Sequence, residues 1–196
     1  MKLFFDTEFT QLRKDTTLIS IGLISEDNKK FYGILNDYDK SLCNEWIQTN
    51  VIDTMQINQD DYKNLTIKTG NRSEISRELK TWLNSFGDDK IQFISDVSHY
   101  DFVLLIDLLS DGKSAFDISE NISPYCHDVN QDIANYLNIS DLEAFDMNRE
   151  YFIINHEKDL PKGDKHNSLY DALVIKQIYE IIERVNNEVS EICDFI

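Results

Sequence analysis

Three β-type segments within the first 36 residues place the strongest constraint on how this chain can fold. They cover residues 2–6, 17–25 and 30–35 and are rich in Phe, Ile and Leu. Only the short polar link 26–28 separates the second segment from the third, which indicates a tight turn. We therefore predict a β-meander in which consecutive strands pair antiparallel.

The remaining sequence alternates helical patterns with one short apolar run. In chain order we predict helical structure over residues 42–86, clearest from Ser73 to Phe86, a strand over 91–94, and helices over 100–109, 129–137 and 167–187. A polar loop is expected over 157–165, before the last helix. A meander followed by mixed strands and helices indicates an α/β fold, with an antiparallel edge on a mixed sheet that helices flank.

The composition limits the class of protein. The chain has 196 residues, of which 41% are hydrophobic, and no repeat or linker-like tract divides it. A chain of this length buries roughly two thirds of its unfolded surface, which suffices for one core without disulfides or a structural metal. We therefore predict a single domain over residues 1–196.

Cysteine usage and hydropathy argue against secretion and membrane insertion. Cys43, Cys126 and Cys193 are far apart and form no C-x-x-C pair, so neither a disulfide framework nor a zinc knuckle is expected. No apolar run approaches the roughly 20 residues that span a bilayer, so we expect no membrane partner. These features favour a reducing, cytoplasmic compartment.

The charge balance disfavours nonspecific attraction to nucleic acid, although a local site could override it. With 36 acidic against 19 basic residues, the formal net charge is -17, whereas nonspecific polyanion binders are usually basic. A noncatalytic acidic protein that mimics nucleic acid would carry such a charge. Its carboxylates should all face water.

Asp6 and Glu8 follow the first apolar run at a spacing of two residues. Strand alternation therefore places both carboxylates on one face. Like charges this close repel unless a cation lies between them, so the pair is a plausible half of a Mg²⁺ or Mn²⁺ site. In a chain this rich in acids, a solvated strand end is the alternative.

Asp101 lies on the apolar stripe of a predicted helix, at helical spacing from Leu104, Leu105 and Leu108. An unpaired buried carboxylate costs several kcal/mol, whereas one that contacts a metal can be favourable. Asp101 is therefore a second candidate metal ligand. The alternative is that it caps the helix by accepting a backbone N–H.

Asp171 stands at the head of the apolar stripe of the last helix, which continues through Ile175, Ile178 and Ile182. If Asp171 pointed outward, this row of branched side chains would be exposed, so the carboxylate must point inward. His166 lies five residues earlier, after the polar segment Pro-Lys-Gly-Asp-Lys. From that loop it could reach the same centre from another side.

Together these residues resemble the motifs of the DEDDh group of DnaQ-like 3'-5' exonucleases, which have an RNase H-like fold. Asp6 and Glu8 match the first motif, D-x-E. Asp101 matches the second, although Asp96 stands where that pattern usually has asparagine. The third motif, H-x4-D, is matched by His166 and Asp171.

The resemblance implies metal-dependent removal of 5'-mononucleotides from a 3' end. Four carboxylates, Asp6, Glu8, Asp101 and Asp171, would hold two divalent cations, Mg²⁺ or Mn²⁺, with His166 as the general base. The residues expected to contact the terminal nucleotide are Glu8, through the 3'-OH, and Phe9, Thr10 and Tyr100. Core packing is an equally good account of Phe9.

The chain is most similar to small bacterial and phage exoribonucleases of the RNase AS type, so the expected substrate is single-stranded RNA. A DNA-directed exonuclease of the same fold is the runner-up, and the noncatalytic mimic is the alternative from another class. The resemblance also suggests a homodimer. The basic residues Arg13, Lys14, Lys158, Lys162 and Lys165 flank the first and third motifs and could form an electropositive rim.

Overall fold

A six-stranded mixed sheet forms the centre of the computed structural model, which describes residues 1–114, 118–156 and 158–193, the last five by backbone alone. The strands are β1 (Lys2–Phe9), β2 (Leu18–Ser25), β3 (Lys30–Leu35), β4 (Leu65–Gly70), β5 (Ile91–Ser95) and β6 (Ile122–Asp128). Their order across the sheet is β4-β3-β2-β1-β5-β6. β1, β2 and β3 pair antiparallel, and the other pairs are parallel, so the predicted meander and mixed sheet are confirmed.

Helices cover both faces of this sheet. They are α1 (Glu45–Ile47), which continues into a π-helical turn (Gln48–Ile52), α2 (Arg72–Asn84), α3 (Ser98–Ser110), α4 (Val129–Leu137), α5 (Asp141–Phe145), α6 (Arg149–Asn155) and α7 (Ser168–Cys193). Side chains alternate across β1, so Phe5 packs with α2 and α3 while Phe4 packs with α4, α6 and α7. Among the described residues, no helix is long and apolar enough to cross a membrane.

Two strands differ from the sequence prediction. Residues 65–70 form β4, which pairs parallel with β3, inside the segment predicted to be helical. β6 was not predicted, and it pairs parallel with β5. Both strands lie at the edges of the sheet, where one side of the strand stays unpaired and the apolar pattern is weak.

Of the other predicted helices, 129–137 is confirmed with the same ends, and 100–109 runs from Ser98 to Ser110. The last helix begins at Ser168 and extends beyond the predicted end, to Cys193. Residues 158–165 of the predicted polar loop contain no helix or strand, and residue 157 lies outside the described residues. Cys43 and Cys126 are free thiols, and the side chain of Cys193 is not among those described.

A close approach at Gly22 fixes the start of α7 against the sheet. A Cβ atom at Gly22 would lie 2.3 Å from the carbonyl oxygen of Ser168 and 2.4 Å from the backbone of Leu169. Only glycine therefore allows this approach. Gly22 is paired with Asp6 across β1 and β2, so the same contact brings the first turn of α7 to the acidic end of β1.

Candidate active site

One cavity of about 630 Å³ brings together all five residues predicted to be catalytic. Asp6, Glu8, Asp101, His166 and Asp171 line it, and so do Phe9 and Thr10. Tyr100 is outside this lining, but its ring stacks on that of Phe9 with centroids 5.6 Å apart and planes 14° from parallel. Residues separated by more than 160 positions in sequence thus meet at one end of β1.

β1 supplies the first acid pair. Asp6 lies opposite Gly22 and Glu8 opposite Ser20, and the register shifts between Glu8 and Phe9. Such an irregularity bends a strand and redirects its side chains. Both acids lie within β1, because the strand runs three residues further than predicted.

Asp101 projects from the first turn of α3 into the centre and is only 2% exposed. Its two carboxylate oxygens accept hydrogen bonds from the Thr7 hydroxyl at 2.5 Å and the Ser95 hydroxyl at 2.6 Å. The N-cap position of α3 is Val97, without a side-chain cap, so Asp101 does not cap the helix. Leu104, Leu105 and Leu108 are buried, as their helical spacing predicts.

Asp171 and His166 are joined through the start of α7. The backbone N–H of His166 donates to Asp171 Oδ2 at 2.9 Å. Asn167 Oδ1 accepts from the backbone N–H groups of Leu169 and Tyr170, which satisfies two free donors at this helix start. His166 itself has a φ of 65°, a left-handed conformation that is uncommon for histidine.

The segment around α1 supports this loop from the other side. The ring of Trp46 contacts that of His166 edge-on, with centroids 4.9 Å apart. The Thr54 hydroxyl donates to the His166 carbonyl oxygen at 3.3 Å, and the Thr54 carbonyl oxygen accepts from Asn167 at 2.9 Å. The unusual backbone of His166 is thus held by side-chain packing and hydrogen bonds from residues more than a hundred positions away.

The potential metal ligands form two groups. One contains Glu8, His166 and Asp171, and the other contains Asp6, Asp96 and Asp101; in each, one ligand atom per residue lies within 4.8 Å of the others. Asp6 Oδ2 is buried and has no hydrogen-bond partner among the described residues. Buried polar atoms are rarely left unpaired, and a carboxylate oxygen in this position fits a hard divalent cation.

Crowding and burial perturb the ionisation of these acids. Burial raises the pKa of Asp6 and of Glu8 well above their usual range, and the neighbouring carboxylates raise both further. Burial also raises the pKa of Asp101 to about 7 and that of Asp171 to about 7. Without a cation, the centre therefore favours bound protons.

His166 is shifted in the opposite sense. Burial lowers the pKa of its imidazole, and the positive charge of Lys165 lowers it further. The neutral ring, which can accept a proton, is therefore favoured near neutral pH.

Thr10 and the predicted rim of basic residues differ from the sequence prediction. Thr10 is 1% exposed and its hydroxyl accepts from the backbone N–H of Thr17 at 3.1 Å, so its side chain is engaged within the protein. Of the five basic residues predicted to form a rim, only Lys165 lines the cavity. Lys162 pairs instead with Asp61, and Arg13 with Asp15.

Sequence reasoning missed three residues at this site. Trp46 and Arg149 line the cavity without belonging to any recognised motif, and Asp96 was noted only as a departure from the second motif. The one sequence signal for Trp46 was a tryptophan within a mainly polar segment, and the structure leaves its side chain 51% exposed. Nothing in the sequence near Arg149 indicates its position.

The mixed sheet with its flanking helices has the RNase H-like fold that the sequence resemblance predicts. The fold matches the nuclease domain of 3'hExo, a DEDDh family member bound to rAMP, with a TM-score of 0.60, 14% identity, and coverage of 95% of this chain and 92% of that one. It also matches S. pombe Pop2p in a form with Mg²⁺ and Mn²⁺ bound, with a TM-score of 0.54, 15% identity, and coverage of 91% and 81%.

The chain belongs to the Rv2179c-like family of 3'-5' exoribonuclease domains, whose model matches residues 1–183. Two curated relatives, the 3'-5' exoribonucleases Rv2179c and MT2234.1 from two strains of Mycobacterium tuberculosis, are each 29% identical to it over 108 residues. The matched segment covers 55% of this chain and 61% of each relative, so the chain spans about three fifths of their length.

Proposed function

We propose that this protein is a metal-dependent 3'-5' exonuclease that releases 5'-mononucleotides from single-stranded RNA. The observation that carries the proposal is the convergence of Asp6, Glu8, Asp101, His166 and Asp171 in one cavity. Membership of an exoribonuclease domain family supports RNA as the substrate. The noncatalytic mimic is disfavoured because Asp101 is buried rather than facing water.

The acids fit the binding of two divalent cations. Asp6, Glu8, Asp101 and Asp171 would hold them, because carboxylate oxygens are the ligands that Mg²⁺ and Mn²⁺ prefer. When bound, such ions offset the charge of the phosphate and stabilise the leaving oxygen. The unpartnered oxygen of Asp6 and the raised pKa values of its neighbours are the features that a cation would relieve.

His166 would take the proton from the attacking water. Burial lowers the pKa of its ring and so favours the neutral form. One ring nitrogen lies within 4.8 Å of the ligand atoms of Glu8 and Asp171. The Trp46 ring packs against the imidazole, and the Thr54 hydroxyl contacts the backbone carbonyl oxygen of His166. A positioned base of this kind contributes typically about 10²- to 10⁴-fold to the rate.

The terminal nucleotide would lie along the end of β1. We place its 3'-OH against Glu8 and its base near Phe9, whose ring Tyr100 supports from behind. A base stacked on an aromatic ring gains about 1 to 3 kcal/mol. Because the Thr10 hydroxyl is engaged with Thr17, a contact from Thr10 would come from its backbone.

An acidic protein needs local positive charge to hold RNA. Lys165 lines the cavity and is exposed, so it can approach a phosphate, while the bound cations offset the carboxylates. We further propose a homodimer and a cytoplasmic location. The free thiols of Cys43 and Cys126 agree with a reducing compartment.

The test uses purified protein with 5'-labelled single-stranded RNA and DNA in Mg²⁺, Mn²⁺ or EDTA, and Asp101→Asn as the matched inactive control. We expect progressive shortening from the 3' end, faster on RNA, blocked by a 3'-phosphate and absent in EDTA. Faster shortening of DNA would favour the DNA-directed alternative. Cleavage of a circular strand, or no metal-dependent cleavage of either substrate, would contradict the proposal.

A further inference from the structure

Asp96 lies beside the metal centre, although no recognised motif assigns it a role. It follows the last residue of β5 directly, and its side chain is 20% exposed. One of its carboxylate oxygens lies within 4.8 Å of ligand atoms of Asp6 and Asp101. Besides the four acids of the motifs, the cavity lining contains Asp96 and also Glu150, whose carboxylate accepts from the Tyr170 hydroxyl.

Arg149 fixes the orientation of Asp96. The Nε–H of Arg149 donates to Asp96 Oδ2 at 3.3 Å, and the guanidinium is 14% exposed. Its other N–H groups donate to the carbonyl oxygens of Ala144, Met147 and Phe145 and to Asn130 Oδ1. A guanidinium has five N–H donors, and all five are engaged here, so Arg149 has none left for a substrate phosphate.

The carboxylate of Asp96 lies near both a positive charge and two other acids. Arg149 holds Oδ2, and its fixed positive charge offsets one of the crowded negative charges. The side chain nevertheless approaches Asp6, whose Oδ2 is buried without a partner among the described residues. Asp6, Asp96 and Asp101 are thus close together, and one oxygen of Asp6 is buried and unpaired among the described residues. This arrangement fits a bound cation better than a further hydrogen bond.

We propose that Asp96 is a fifth carboxylate of the metal centre, which strengthens divalent cation binding and which Arg149 holds in orientation. The inference rests on the proposed function, since it concerns the same centre. Asp96 supplements the four acids of the motifs. Its loss should weaken cation binding without abolishing turnover.

The test compares Asp96→Asn with the wild-type chain by titration calorimetry with Mn²⁺. Asparagine keeps an oxygen that can accept from Arg149, so α5 and α6 should stay in place. We expect the Mn²⁺ dissociation constant to rise about tenfold or more. RNA cleavage by the variant should need a higher Mn²⁺ concentration for half-maximal rate than cleavage by wild type, whereas Asp101→Asn stays inactive at every concentration.

Asp128→Asn is the matched control. Asp128 ends β6, and its carboxylate accepts from Asn130 N–H and from the Ser98 hydroxyl, so it is close by but outside both ligand groups. This control should change the Mn²⁺ dissociation constant by less than about threefold. Melting curves in EDTA show whether each variant is folded. If Asp96→Asn is unfolded, Asp96→Ser takes its place in the comparison.

An unchanged Mn²⁺ dissociation constant in folded Asp96→Asn would overturn the inference and leave Asp96 as an anchor for Arg149. An equal loss of affinity in Asp128→Asn would overturn it too, because it would show a nonspecific effect of charge. The two proposals fail separately. If wild-type protein binds Mn²⁺ but cleaves no nucleic acid, the proposed function fails while the calorimetric comparison still tests Asp96.

Discussion

Replacement of Asp101 by asparagine should stabilise the metal-free protein at alkaline pH. The Asp101 carboxyl is 2% exposed, and burial raises its pKa from an ordinary value of 3.8 to about 7. The folded protein therefore binds this proton more tightly than the unfolded chain does. The stability that the protonated group contributes is complete below about pH 4 and is lost as the pH rises towards 7.

The size of the effect follows from this difference in pKa. Between 3.8 and about 7, the loss amounts to about 4 kcal/mol once the group is ionised in both states. Asparagine avoids this loss but weakens the hydrogen bonds from Thr7 and Ser95, which costs about 1 kcal/mol. The expected net gain is about 2 to 3 kcal/mol at pH 8, and less than about 1 kcal/mol at pH 5.

Denaturant unfolding in EDTA at pH 8 and pH 5 measures this gain. At pH 8 it corresponds to a rise of about 5 to 10 °C in melting temperature for a chain of this size. An exposed control, Asp89→Asn, should change stability by less than about 0.5 kcal/mol at both pH values. If Asp101→Asn is less stable than wild type by the same amount at both pH values, the reasoning is refuted.

Substitutions at three further residues test how the site is built. His166→Ala should lower turnover by about 10²- to 10⁴-fold while Mn²⁺ affinity in calorimetry changes little, and near-normal turnover would remove the histidine from the mechanism. Gly22→Ala should destabilise the fold by about 1 to 3 kcal/mol and lower activity, because its Cβ would meet the Ser168 carbonyl at 2.3 Å; wild-type melting and turnover would contradict this. Trp46→Ala should lower kcat about two- to tenfold, the equivalent of one aromatic contact, and Trp46→Phe should restore it. Equal kcat in both Trp46 variants and wild type would show that the ring contact does not position His166.

Local sequence periodicity marked the acids as candidates, and the family resemblance joined them into one predicted site. Asp6 and Glu8 share a strand face because they are two residues apart, and Asp101 and Asp171 each begin the apolar stripe of a helix. These patterns arise within single elements, so they can be read without knowing the tertiary structure. The antiparallel meander is equally local, since its strands follow one another directly.

Features that depend on distant partners could not be predicted in this way. β4 is a half-exposed edge strand that depends on parallel pairing with β3, and its apolar alternation is too short to outweigh the helical pattern around it. Arg149 acquires its role from Asp96, 53 positions earlier in the chain. Trp46 acquires its role by contact with His166, and no local pattern indicates that these two residues meet.

The packing that completes the core also creates the acidic centre. Gly22 lets α7 lie directly on β2, and this contact buries the apolar stripe of α7 while bringing Asp171 to the strand that carries Asp6. The repulsion and burial of the carboxylates oppose folding, and the pKa values near 7 show the extent of that opposition. Burial of the apolar residues of α7 offsets it, so the chain can fold with an acidic centre that a cation would stabilise. Divalent cations should therefore stabilise the protein, and each acid that holds them should contribute to this stabilisation. For this reason we expect substitutions at Asp96 and Asp101 to lower both the metal affinity and the stabilisation that the metal provides.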